Sequence, residues 1–301
     1  MTDQRLIAVL GLGAMGLPMA TRLAEKYTVR GFDINPDRIR LGAEGGVVAA
    51  TSAREAADGA DCLLLAVRDR GQLEEALYGA DGVAGVLAAG ATVILTSTVG
   101  IDAVREVAAR LAGDGLHLVD APISGGPARA GKGDLLIVVG ASDEAFGVAE
   151  GPLAQLASSL VRIGPAAGDG QAMKTVNQLL CGVHIAVAAE ALALADALGL
   201  DPKLALETLG GGAAASFMLS DRGPRVLQAY DEGGAEVRSR IDIFTKDMGI
   251  VNSAARAAGL ATPIAAAAEG LYLIAQAAGQ GAMDDSSVIR VIAPQRKGAA
   301  S

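Results

Sequence analysis

Short apolar runs alternate with helix-length stretches through the first half of the chain. The runs Leu6–Leu10, Thr28–Asp33, Cys62–Val67, Thr92–Thr96, His117–Ala121, Leu135–Val139 and Leu160–Ile163 have strand length. Most gaps between them suit crossover helices, as at Gly16–Lys26 and Ile101–Ala112. That rhythm predicts parallel strands covered by helices, a doubly wound α/β domain over residues 1–164.

Past Gly164 the period changes. An Ala- and Leu-rich helical pattern runs from Gln171 to Leu198, with Gly199 in the C-cap position. Further helical segments are predicted at Pro202–Leu209, Ile241–Ala258, Thr262–Ala278 and Ser286–Ile292, with Gly210–Gly212 and Gly233–Gly234 as breaks. Residues 165–295 therefore read as an all-α domain, and residues 296–301 as a disordered tail.

A chain of 301 residues is long for one core, which agrees with two domains. Hydrophobic residues make up 51% and aromatics only 3%, so the cores must close through Ala and Gly contacts more than through rings. The net charge of -9 disfavours nucleic acid and anionic membrane as partners; an anionic substrate would need a local trap of N–H dipoles or a lysine. Cys62 and Cys181 lie in apolar stretches, provide no disulfide framework, and suit a reducing cytoplasm. The stretch Arg5–Gly16 leads into glycines with no small-residue cleavage site, so no secretion signal is expected. No run approaches roughly 18 uninterrupted apolar residues, so no membrane span is expected.

Gly11-Leu12-Gly13-Ala14-Met15-Gly16 is a GxGxxG sequence directly after the first strand and opening a helix. In such a loop the first glycine permits the turn, the second lets a pyrophosphate approach the backbone, and the third allows close helix–strand packing. The helix start then offers N–H donors and a positive dipole end. Asp33 ends the next strand, 22 residues after Gly11, where a carboxylate can accept from ribose hydroxyls and repel a 2′-phosphate. It also precedes Asn35-Pro36 and can be a turn residue; the two roles are compatible. This favours NAD over NADP, although Arg30 and Arg38 point the other way.

In Asp120-Ala121-Pro122-Ile123-Ser124-Gly125-Gly126, Ser124 offers a hydroxyl, and Gly125 and Gly126 offer bare N–H groups, a cradle for a carboxylate or an ordinary strand-to-loop turn. Lys174 shares a helix face with Asn177 and Gln178. Among Ala, Met, Val and Leu a lysine is costly to bury without a task, and burial would make it a usable base. It also reads as a snorkelling surface lysine. Lys246-Asp247 reads as a site pair or as a solvated one. His117, His184 and the carboxylates lack metal-ligand spacing, so no metal is expected; His184 is read as a packing residue, and Asp242 and Asp247 as structural.

Four segments, GLGAMGLPMA from Gly11, DAPISGG from Asp120, GQAMKTVNQ from Gly170 and KDMGIV from Lys246, resemble in order and spacing the β-hydroxyacid dehydrogenase family. That family includes 3-hydroxyisobutyrate dehydrogenase and tartronate semialdehyde reductase, and the resemblance spans nearly the whole chain. It implies a Rossmann domain followed by an all-α domain, and hydride transfer from a small hydroxycarboxylic acid to NAD. It implies Lys174 as general acid/base, with Ser124, Gly125, Gly126, Asn177 and Gln178 binding substrate. Gly11, Leu12, Gly13, Ala14, Met15, Gly16, Asp33, Val67, Ser97, Thr98 and Lys246 are implied on the cofactor side.

Two departures stand out. Gln178 replaces the family's second Asn, and Arg68-Asp69 replaces a common Leu-Pro pair. The stretches NQLLCGVHIAVAAEA from Asn177 and SRIDIFTKDMGIV from Ser239 are most similar to the L-threonate dehydrogenase branch, which implies a four-carbon sugar acid. Phe217, Met218, Arg222 and Arg240 are candidates to line the substrate cleft. Imine reductases resemble the N-terminal motif but typically lack the lysine; a silent dinucleotide-binding protein would also be expected to lose it, and a phosphogluconate enzyme would need a denser basic cluster. The apolar helical half, with Ile264–Ala268 and Leu271–Ala278, predicts a homodimer or homotetramer.

Overall fold

In the computed structural model, which describes residues 5–295, the chain divides into two units, one ending at Lys174 and one starting at Thr175. The tail expected from residue 296 lies outside the described residues. The first unit alternates β1 (Leu6–Leu10), α1 (Gly16–Ala24), β2 (Thr28–Phe32), α2 (Pro36–Glu44), β3 (Val48–Ala49), α3 (Ala53–Ala57), β4 (Cys62–Leu65), α4 (Arg70–Tyr78), β5 (Thr92–Leu95) and α5 (Ile101–Gly113). It continues with β6 (His117–Asp120), β7 (Ile123–Ser124), α6 (Gly126–Lys132), β8 (Leu135–Gly140), α7 (Asp143–Leu156) and β9 (Ala157–Gly164). The long α8 (Asp169–Ala197) starts here and runs on into the second unit.

The strands form one sheet in the order β3-β2-β1-β4-β5-β6-β8-β7, with β9 paired to β8. From β1 to β6 the pairs are parallel, as the apolar runs predicted. The expectation fails at β8, which is antiparallel to β6 and β7. Only residues 125–134 connect β7 to β8. A parallel crossover takes a dozen or more residues, so this short link, with α6 inside it, returns the chain antiparallel.

Side chains of β1 alternate between two cores. Ile7 and Val9 pack with Met19, Ala20 and Leu23 of α1 and with Ala149 and Leu153 of α7. Ala8 and Leu10 pack with Leu73 and Leu77 of α4 and with Val104, Val107 and Leu111 of α5. Helices on both faces explain why these strands read as continuous apolar runs.

The second unit adds α9 (Pro202–Gly210), α10 (Phe217–Gln228), α11 (Ile241–Ala257), α12 (Pro263–Ala275) and α13 (Ile289–Ile292). No helix is expected from the sequence over α10, which carries Gly223-Pro224 within it. Ser216 caps the helix by accepting from the Leu219 amide at 3.0 Å. Gly223 lets Leu206 of α9 pack against it; a Cβ there would lie 2.3 Å from the leucine Cδ1. The core gathers Ile185, Ala189 and Leu192 of α8 with Phe244, Met248 and Tyr272. The Tyr272 hydroxyl donates to the Gly182 carbonyl at 2.8 Å, satisfying a buried polar atom. Two buried ion pairs, Arg222 with Asp285 and Arg225 with Asp284, join α10 to the segment before α13.

Among the described residues α8 is the one helix long and apolar enough to cross a membrane by length and composition. In this fold one face of it contributes to the helical core.

Candidate active site

The glycine loop after β1 has the geometry that its spacing predicts. Gly11 has φ +90°, and a Cβ on it would lie 2.4 Å from the Ala66 carbonyl oxygen. A Cβ on Gly16 would lie 1.8 Å from the Gly11 carbonyl oxygen. Gly13 differs: nothing lies within 4 Å of where its Cβ would be. That open space, beside a helix α1 whose start has no side-chain cap, fits an anionic group held by backbone N–H donors. Leu12 is buried, while Ala14 and Met15 lie on the rim of the loop.

Asp33 follows β2 and is tied to this loop. Its Oδ2 accepts from the Leu12 amide at 2.7 Å, and its Oδ1 accepts from the Asn35 amide at 2.8 Å. Asn35 in turn caps α2 by accepting from the Asp37 amide at 3.0 Å. Each carboxylate oxygen retains acceptor capacity beyond these bonds. Asp33 thus acts as the turn residue that its place before Asn35-Pro36 allowed, and stays able to take a sugar hydroxyl. Ile34 beside it is 90% exposed, an apolar surface that no sequence pattern marks.

At the same strand edge, β4 and β5 are pinned together. The Ser97 hydroxyl accepts from the Val67 amide at 2.9 Å, and the Thr96 hydroxyl donates to the Leu65 carbonyl at 2.9 Å. Ser97 is buried; Val67 and Thr98 are half-buried. Arg68-Asp69 has a local role in place of the expected Leu-Pro. Asp69 caps α4 by accepting from the Gln72 amide, and the Gln72 side chain accepts from the Arg68 amide, both at 2.9 Å. Past β7, Ser124 is half-buried, and Gly125 and Gly126 have φ of +142° and +76°, which requires glycine.

Lys174 is 8% exposed on the first turns of α8. One turn earlier, Gln171 binds the strand ends. Its Oε1 accepts from the Val99 amide at 3.0 Å and the Gly100 amide at 3.1 Å. Its Nε2 donates to the Ser97 carbonyl at 3.0 Å and to Asp120 Oδ1 at 2.9 Å. Asp120 Oδ2 accepts from the backbone amides of Gly168 at 2.9 Å and Gln171 at 2.8 Å. Burial pushes the Asp120 carboxyl up from its ordinary value, against these hydrogen bonds, which favour the charged form. The sequence assigns no role to Asp120 or Gln171, though both lie in the DAPISGG and GQAMKTVNQ segments.

In the second unit Asn177, Gln178 and Lys246 come together through Asp247. Gln178 Nε2 donates to Asp247 Oδ2 at 2.5 Å, Lys246 Nζ donates to Asp247 Oδ1 at 2.7 Å, and Asn177 Nδ2 donates to Gln178 Oε1 at 2.8 Å. Asp247, buried at 3% exposure, orients two candidate site residues as well as filling a structural place. Phe217 is 68% exposed and Met218 packs on the helical core. Arg222 is paired with Asp285 and Asp221, and Arg240 with Asp242. His184 is half-buried on α8. Among the described residues no group of three His, Cys, Asp or Glu side chains could hold a metal.

Residues 6–164 match the model of the NAD-binding domain of 6-phosphogluconate dehydrogenase, and residues 168–292 that of the NAD-binding domain of NADP-dependent 3-hydroxyisobutyrate dehydrogenase. An L-threonate dehydrogenase of Cupriavidus necator is 38% identical over 95% of this chain and 96% of its own. A 3-hydroxyisobutyrate dehydrogenase of Pseudomonas aeruginosa is 35% identical over 90% of this chain and 91% of its own. The crystal structure of a 3-hydroxyisobutyrate dehydrogenase from Salmonella typhimurium superposes with a TM-score of 0.88 at 35% identity, covering 96% of this chain and 100% of the other. With motifs, fold and relatives agreeing over nearly its full length, the chain belongs to the β-hydroxyacid dehydrogenase family, in its 3-hydroxyisobutyrate dehydrogenase-like group.

Proposed function

We propose that this protein oxidises a small hydroxycarboxylic acid, a four-carbon sugar acid such as L-threonate, with NAD as cofactor and Lys174 as general acid/base. The observation that carries the reading is a nearly buried lysine one helical turn past a residue bonded to Ser97 and Asp120. A bound nicotinamide would supply the hydride acceptor for oxidation of the carbinol carbon. Lys174 takes the proton from the substrate hydroxyl during oxidation and returns it during reduction. Ser124 and the N–H groups of Gly125 and Gly126 hold the substrate carboxylate, with Asn177 and Gln178 as further polar contacts.

The loop Gly11–Gly16 holds the pyrophosphate, Asp33 takes the adenosine ribose hydroxyls, and Ile34 offers the adenine an apolar platform. Val67, Ser97, Thr98 and Lys246 serve the nicotinamide side. Asp33 supports NAD over NADP through its charge. The L-threonate relatives, at 34–38% identity, support the four-carbon acid. A second reading, oxidation of 3-hydroxyisobutyrate, is favoured by the Pseudomonas aeruginosa relative.

Reduced-cofactor formation would be followed across L-threonate, D-erythronate, 3-hydroxyisobutyrate, D-glycerate and phosphogluconate, with NAD and with NADP. Selective turnover of a four-carbon acid with NAD supports the first reading; turnover confined to 3-hydroxyisobutyrate replaces it with the second. Lys174→Ala should abolish turnover and leave NAD affinity intact, and retained turnover removes the lysine from the mechanism. We also infer a cytoplasmic homodimer or homotetramer. The assembly is supported by an exposed apolar stripe on α8, at Met173, Val176, Leu180, Val187 and Leu194, continued by Leu198 just past its end. A stable monomer in light scattering would refute that assembly.

A further inference from the structure

We propose that Asp120 and Gln171 are positioning residues: together they form a buried strut that sets the place of Lys174 against the ends of β5 and β6. The proposal rests on the reading of Lys174 as the acid/base. Its observation is independent of that reading. Asp120 and Gln171 are both fully buried, and every polar atom of their side chains has a partner.

The strut works by geometry. The Gln171 amide bridges four groups at once, the Ser97 carbonyl, the Val99 amide, the Gly100 amide and the Asp120 carboxylate. Asp120 then accepts from the backbone at Gly168 and Gln171, so the first turn of α8 is held by main chain as well as side chain. Close packing leaves that turn little room to slide. A Cβ on Gly170 would lie 2.6 Å from the Asp120 carbonyl oxygen, and one on Gly140 would lie 2.8 Å from the Gly170 amide nitrogen. Lys174, at i+3 from Gln171, inherits the placement, because residues three apart share a helix face. Ser97 sits at the other end of the same strut, with its hydroxyl on Val67 and its carbonyl on Gln171. A packing role alone would be met by apolar side chains of similar size; this site instead spends two buried polar groups on a fully satisfied network.

The polarity pattern supplies the test. In Asp120→Asn the new Nδ2 faces Gln171 Nε2, donor against donor. In Gln171→Glu the new oxygen faces Asp120 Oδ1 and the Ser97 carbonyl, acceptor against acceptor. The exchange Asp120→Asn with Gln171→Glu restores an N–H···O bond between the two side chains, but the new oxygen at position 171 still faces the Ser97 carbonyl, acceptor against acceptor, and one N–H of the new amide gains no partner. It preserves five of the six contacts and the net charge.

We would measure kcat, KM for the hydroxy acid, NAD Kd by titration, melting temperature, and the rate of Lys174 acylation by an amine reagent, read by mass spectrometry. Gln171→Leu and each polar single variant should lower kcat about 10- to 100-fold, as expected for a misplacement near 1 Å. NAD Kd and KM should stay within about threefold, and the Lys174 acylation rate should change. The exchanged pair should recover part of the kcat lost in each polar single variant. Full kcat in Gln171→Leu, while Lys174→Ala is inactive, overturns the strut and spares the lysine. Loss of kcat that follows only melting temperature, with no recovery in the exchanged pair, overturns it as well. Activity in Lys174→Ala instead fails the acid/base reading itself.

Discussion

Two alanine substitutions three residues apart, Gly13→Ala and Gly16→Ala, should separate cofactor binding from stability. The Gly16 Cβ would stand 1.8 Å from the Gly11 carbonyl oxygen, against a close contact of about 3.0 Å, a deficit of about 1.2 Å. The obstacle is backbone, and a further contact at 3.1 Å to the Ala66 Cβ blocks escape on that side. Overpacking typically costs about 1–3 kcal/mol, and a backbone clash belongs at the upper end, about 3 kcal/mol. For a unit of this size that corresponds to a fall of roughly 6–12 °C in melting temperature. Gly13 has no neighbour within 4 Å of its Cβ and no positive φ, so alanine should change the stability of the free protein by less than about 0.5 kcal/mol. The same methyl would occupy the space through which a pyrophosphate approaches the backbone, and should raise NAD Kd about 10- to 100-fold, or about 1.4–2.8 kcal/mol. Thermal melts of the cofactor-free protein and fluorescence titration with NADH read the two effects. A Gly13→Ala protein that binds NADH like the parent, or melts as early as Gly16→Ala, would refute the assignment of that space to a cofactor.

Two further predictions concern titration and buried charge. Burial and the hydrogen bond to Asp114 at 3.0 Å push the Tyr78 phenol from 10.0 up to about 12. Because the folded value is the higher one, its contribution to stability is present below pH 10 and is lost as the pH rises toward 12. Near-ultraviolet phenolate absorbance should show this late titration, and Asp114→Asn should move it back toward 10; an unmoved midpoint would remove the hydrogen bond as a cause. Arg225→Met should destabilise the helical unit by about 3–5 kcal/mol in urea, since it strips a charge partner from the fully buried Asp284 side chain. Burial opposes the Asp284 charge, but bonds from Ser286 and the Arg238 amide and the charge of Arg225 outweigh it and hold its pKa below 3.8. That contribution is present above pH 3.8 and is lost as the pH falls through the lowered value, so Arg225→Met should bring acid unfolding, followed by circular dichroism, to higher pH.

The parts of the site that were legible in sequence are those set by local backbone demands. Gly11, Gly16 and Asp33 act through a turn, a close helix approach and a neighbouring loop, and short-range spacing encodes all three. Gln171 was not legible as a strut because its partners lie 51 to 74 positions away in the chain, and no local pattern marks them. Asp247 read as a structural carboxylate because its partner Gln178 lies 69 positions off. The reversal at β8 was hidden for another reason: a strand buried on both faces reads the same in either direction. In α10, no helical pattern is read across Gly223-Pro224, and the sequence does not reveal that Leu206 packs into the glycine's space.

The sheet order carries a consequence for how the chain is made. Its first strand, β1, becomes an inner strand, flanked by β2 and β4. During synthesis the Leu6–Leu10 segment can pair with β2 early, but its other edge waits for β4, which begins 52 residues after Leu10. At about 5–20 residues per second that interval is roughly 3–10 s. For that time a wholly apolar strand has an open edge, the kind of template on which nascent chains aggregate. Yield of soluble protein from a cell should therefore depend on translation rate and chaperone supply more than on the stability of the finished fold.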